Sequence, residues 1–180
     1  MDRRSFNKQA SLILAGLVLP LGSAQATTYL TIDQAKKILW GDMPMKVVDL
    51  VLTSEQMESI QTAAKYRVKN PSPRLWKTES GGWLVIDQII GKHENIDMAF
   101  ALDDKGAITG LEVLTYRETY GDQIRNPKWR AQFHGKDASQ LLELDKQIKN
   151  ISGATLSCRH VTEGVNRLTV MWEQVLQYTA

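Results

Sequence analysis

The 180-residue chain has one cysteine, Cys158, so no disulfide can close within it. No Cys-x-x-Cys-His run is present, which excludes a c-type haem attachment, and the three histidines and one cysteine show no zinc-ligand spacing. Long apolar runs are also missing. The longest, residues 10–21, falls short of the roughly 20 apolar residues that cross a bilayer. Charge of one sign is scarce too. The 22 basic and 20 acidic residues leave a net +2, which gives no reason to expect a nucleic-acid partner. Repeats and low-complexity linkers are absent, so the pattern is that of one globular unit.

What is present begins with an N-terminus that reads as a targeting segment. Arg3, Arg4 and Lys8 precede the apolar stretch, and Ala24-Gln25-Ala26 supplies small residues where a signal peptidase cuts. Residues 1–26 are therefore expected to be an export signal cleaved after Ala26, with a retained membrane anchor as the alternative. Arg3-Arg4-Ser5-Phe6-Asn7-Lys8 also resembles a twin-arginine signal, with Asn7 where an apolar residue is usual; general secretory export is the other route. That segment holds three bases and one acid, so residues 27–180 balance at zero charge. They are expected to form a single domain in the periplasm, docked on a membrane only through a partner or an uncleaved signal.

Hydrophobic periodicity and turn chemistry predict an α+β class. Thr31 caps a short helix whose Ala35, Ile38 and Leu39 share a face, and Thr53 or Ser54 caps a second running to about Lys65. Residues 45–52 read as a strand, and Asn70-Pro71-Ser72-Pro73 as a turn. Strands follow at 75–78, 83–90, 96–102 and 107–116, separated by Gly81-Gly82 and Asp103-Asp104-Lys105-Gly106 turns. Such a meander points to a largely antiparallel sheet flanked by helices. A short helix is expected near 128–133, and 141–148 fits either strand or extended loop. The chain closes on a long helix, about 158–178, whose Val161, Val165, Leu168, Met171 or Trp172, and Val175 make a core-facing stripe.

Directly before that helix stands Ile151-Ser152-Gly153-Ala154-Thr155-Leu156-Ser157. Gly153 and Ala154 allow close backbone approach, the helix start offers unpaired amides, and Ser152, Thr155 and Ser157 add hydroxyls. The physics favours a phosphate, although a small-residue turn before a helix is also common without one. His93, His134, His160, Arg159 and Arg167 read as solvated, and Cys158 as a buried small residue.

Ser152-Gly153-Ala154-Thr155-Leu156-Ser157 resembles the flavinylation motif of the FMN-binding domain family, which includes the C subunit of the sodium-pumping NADH:quinone reductase and the G subunit of Rnf complexes. Tyr116-Arg117-Glu118-Thr119-Tyr120-Gly121, Gln132-Phe133-His134-Gly135-Lys136 and Tyr29-Leu30-Thr31 extend the likeness from about Tyr29 to the end. The resemblance implies FMN bound covalently through a phosphoester to Thr155, made from FAD and Mg2+ by a flavin transferase that releases AMP. It places Ser152, Gly153, Ala154, Leu156, Ser157, Glu118 and Gly121 at the cofactor. One position departs from the motif: Lys149 stands three residues before the serine, where an Asp is usual. The expected function is electron relay between a membrane donor and an extracytoplasmic acceptor. A periplasmic flavin reductase acting on a small substrate and a non-redox binding or sensor module are the alternatives. Tyr116, Tyr120 and Trp83 fall near the site by inference, with core packing as the other reading.

Overall fold

A computed structural model describes residues 26–179. The expected export segment lies outside the described residues except for Ala26. The sheet has six strands: β1 (Thr27–Thr28), β2 (Met45–Val48), β3 (Arg74–Thr78), β4 (Trp83–Ile90), β5 (Asn95–Leu102) and β6 (Ile108–Tyr116). Their order is β1-β6-β5-β4-β3-β2, and every neighbouring pair is antiparallel. Four helices accompany it, α1 (Ile32–Trp40), α2 (Ser54–Ala64), α3 (Pro127–Arg130) and the long C-terminal α4 (Thr155–Gln174). The class is α+β, as the hairpin turns foretold. Among the described residues no helix is long and apolar enough to cross a membrane.

Local chemistry explains the boundaries. Thr31 and Thr53 each form a reciprocal capping box, with Gln34 and Gln56 returning a bond to the cap amide. The strand expected over 45–52 stops at Val48, where pairing with β3 ends at Leu75. Residues 141–148 form no strand: Leu144 and Ile148 make one isolated bridge, and Asp145 sits at φ +65°. Buried Asn166 holds this segment instead, accepting from the Leu142 amide at 2.8 Å and donating to its carbonyl at 2.9 Å.

Both faces of the central strands are covered. On one face Val85, Ile89, Phe100 and Val113 pack against Ile60 and the α4 stripe of Val161, Val165 and Leu168. On the other, Leu84, Ile86, Ala99 and Leu114 meet Ala35 of α1. Double burial explains why β4 reads as an almost unbroken apolar run. Gly164 lets α4 approach β4 closely; a Cβ there would run into the Ile89 side chain. Ile38 of α1 is 55% exposed, so the expected face narrows to Ala35 with half-buried Leu39. Arg167, expected in solvent, is 6% exposed and pairs with Asp87 of β4 while donating to the Arg67 carbonyl.

Candidate functional site

The long helix begins three residues earlier than its periodicity suggests, and that difference builds the site. Thr155 is its first residue, and Ala154 at the cap position supplies no side-chain bond. Cys158 is the first α4 residue whose amide bonds back, to the Ala154 carbonyl at 2.9 Å. The amides of Thr155, Leu156 and Ser157 meet no backbone acceptor among the described residues. A 20-residue helix therefore presents its positive end bare. The turn leading into it runs through Gly153 at φ +85°, a left-handed conformation that suits glycine, and is closed by Ala154 N–H donating to the Ile151 carbonyl at 3.0 Å.

This end of α4 opens on a cavity of about 480 Å³. Gly153, Ala154, Thr155, Leu156 and Ser157 form one wall. Glu118, Thr119, Tyr120 and Gly121, which follow β6, form the second. The third is the β4–β5 turn, through Lys92 and His93. Seven of the eight residues predicted for the site thus meet around one space. Ser152 does not: it is exposed and lies outside the lining, because the turn at Gly153 separates it from the helix start. Trp83 is core, 1% exposed and away from the cavity.

Glu118 ties two walls together. Its Oε1 accepts from the His93 amide at 2.5 Å and the Glu94 amide at 2.9 Å, and so fixes the β4–β5 turn. Partial burial works against the charge, but the amides of Glu94, His93 and Lys92 and the nearby His93 ring outweigh it and hold the carboxyl below its usual value. Tyr116 ties in the α4 wall. Its hydroxyl donates to the Tyr120 carbonyl at 2.5 Å and lies 2.9 Å from Ser157 Oγ. With the phenol proton spent on that carbonyl, Ser157 donates to Tyr116, and the Ser157 hydroxyl has no proton left for an anion. Burial pushes the Tyr116 pKa up, which keeps this proton in place. Gly121 sits beneath this pair at φ +102°, and a Cβ there would lie 2.5 Å from the Tyr116 hydroxyl oxygen.

A phosphate fits these groups. Three unpaired amides, the helix dipole and Lys92 at the rim favour an anion, and the Thr155 hydroxyl stands among them. Apolar contact is available from Leu156, 40% exposed, and Tyr120, 82% exposed. No spacing signal marks Lys92 or His93, which reach the cavity because the β4–β5 hairpin folds toward α4. Cys158 is buried behind the helix start, where burial pushes its thiol pKa up, in keeping with an unreactive packing role. No group of three His, Cys, Asp or Glu capable of holding a metal occurs among the described residues.

A second cleft, of about 360 Å³, lies on the other side of the β4–β5 turn, between the start of α1 and the Lys69–Arg74 segment. The Asp87–Arg167 pair closes its inner end, and none of the predicted site residues lines it.

No curated protein matches the chain. Residues 91–169, which run from the turn carrying Lys92 and His93 through Thr155 and most of α4, match the model of the FMN-binding domain. The bare helix start and the three-walled cavity fall inside that match, and this chain is a flavin-binding protein that carries an FMN-binding domain over residues 91–169.

Proposed function

We propose that the chain is an exported electron carrier whose FMN is joined through its phosphate to Thr155. The observation that carries this reading is the position of the Thr155 hydroxyl: first residue of an uncapped helix, on the wall of the cavity inside the FMN-binding match. FMN, when bound, accepts two electrons and can release them singly. The chain's own part is to hold and shield. The amides of Thr155, Leu156 and Ser157 receive the phosphate charge, and Lys92 adds a cation at the rim. Glu118 and Tyr116 keep the facing walls in register through their bonds to the 93–94 and 120 backbone. Export is supported by the N-terminal sequence, and a covalent tether suits a cofactor that would otherwise diffuse away.

Relay to a protein partner is favoured over turnover of a small substrate by the rim. Tyr120 and Leu156 are among the large apolar residues left exposed, and both stand at this cavity. Apolar surface at the mouth of a redox site suits transient protein contact. The experiment is direct. Full chain incubated with a flavin transferase, FAD and Mg2+ should gain the mass of FMN less one water, on the peptide containing residue 155. An unmodified chain that instead binds and releases FMN reversibly would refute the tether while leaving the flavin site in place.

A further inference from the structure

Among the described residues Asn150 is the one side chain hydrogen-bonded to the Thr155 hydroxyl: its Nδ2 donates to Oγ1 at 3.0 Å. Its own backbone neighbour is pinned from both sides. The Lys149 amide donates to Gln132 Oε1 at 2.8 Å, and the Lys149 carbonyl accepts from Trp129 Nε1 at 2.7 Å. Ile148, immediately before, is fully buried. The amide of Asn150 is therefore delivered to Thr155 by a rigid stretch of chain. Its remaining atom, Oδ1, is buried with no hydrogen-bond partner among the described residues. A buried amide half left unsatisfied is unfavourable, and such groups mark places where function outranks stability. Lys149, at the position where the motif's Asp is usual, is exposed, and no ion pair joins it to an acid among the described residues. Among the described residues no carboxylate is hydrogen-bonded to the hydroxyl in its place.

We infer that Asn150 is the positioning residue for the Thr155 hydroxyl, holding it for reaction with the flavin phosphate. This rests on the reading of Thr155 as the attachment point. In that step Thr155 Oγ1 forms a bond to the FMN phosphorus of FAD, and the pyrophosphate P–O bond breaks. Its electron pair leaves with AMP, and the hydroxyl proton passes to a base of the transferase. Nothing is oxidised or reduced. A hydroxyl oxygen can donate or accept, but a phosphoester oxygen can only accept. A donor amide facing Oγ1 is the arrangement that survives the reaction, so the same bond orders the hydroxyl before the step and the ester oxygen after it. A threonine freed of this contact samples other χ1 rotamers, and fewer encounters place its oxygen in line.

The test measures the initial rate of FMN attachment to the full chain, by intact mass, with flavin transferase, FAD and Mg2+, alongside thermal unfolding of each variant. Asn150→Ala should slow attachment by about tenfold or more with little change in melting. Asn150→Asp keeps the side-chain shape and carries the test should the alanine variant melt early. Its ionised carboxylate accepts the hydroxyl proton and holds Oγ1 in place. Its attachment rate, relative to wild type, should therefore rise with pH through the carboxylate range. Wild-type rates in Asn150→Ala, or an Asn150→Asp profile parallel to wild type, overturn the inference alone. Wild-type chain that never acquires FMN on residue 155 overturns the attachment reading and this inference with it.

Discussion

Thr155 stands at the first position of α4 and gives the helix no cap bond, so its hydroxyl serves the fold chiefly through the one bond it accepts from Asn150. Thr155→Ala should abolish attached flavin and cost about 1 kcal/mol of stability for the lost Asn150 bond, as read by mass spectrometry and urea denaturation. Glu118 has the opposite balance, with a carboxylate that organises backbone. Its pKa is depressed in the folded state, so its stabilising contribution is complete above the ordinary carboxylate value of 4.5 and is lost as pH falls through the lower folded value. Glu118→Gln should therefore be less stable than wild type at neutral pH, and the gap should close in acid unfolding below that value. A gap constant across the acid range would show that its charge is irrelevant. Neither role is visible in the residue type alone. Glu118 was legible as a site residue only through a family resemblance, and its bonds to residues 93 and 94 needed the fold.

Among the elements, the segment after β6 shows how a turn can set a cavity wall. Gly121 combines a left-handed φ with a floor of Tyr116 and Ser157, so a methyl group there is strained twice. Gly121→Ala should cost about 1–3 kcal/mol in denaturant unfolding and break the Tyr116–Ser157 bond, observable as a change in Tyr116 phenol titration. The α4 helix shows the limit of periodicity. Val161, Val165 and Leu168 were readable as a stripe because they recur at helical spacing. The first turn, Thr155 to Ser157, carries no such stripe, so the helix appeared to start later than it does. Its true start is set by Ala154 and its neighbours packing into the core beside Cys158 and Ile148. Segment 141–148 was ambiguous for a related reason. The backbone of Leu142 bonds to the side chain of Asn166, which is far away in sequence, while residues 143–148 close turns on one another.

For the whole molecule, the Asp87–Arg167 pair joins β4 to α4 across the core face of the sheet and marks the inner end of the second cleft. Burial raises the Asp87 carboxyl, while Arg167 beside it pulls the other way. Removing one partner strands the other charge. Arg167→Met should destabilise the protein by about 3–5 kcal/mol at neutral pH, and the double change with Asp87→Leu should recover much of that loss in the same denaturant series. No rescue would mean that the two residues act independently. The outer parts of the molecule are simpler. Val47 on the edge strand β2 is 65% exposed, and the four-residue length of that strand limits its value as a pairing template.

The sequence by itself determined the hairpin meander, the two capped helices, the α4 stripe and the small-residue loop before it. Each of these is encoded by residues within a few positions of one another, where turn chemistry, capping and periodicity act directly. Only the tertiary structure decided which walls face that loop, since residues 92–93 and 118–121 reach residues 153–157 through strand pairing and helix docking. It also decided that Arg167 of α4 is buried against Asp87 of β4. Those outcomes depend on where separate segments land against each other, and local pattern holds no record of such distances.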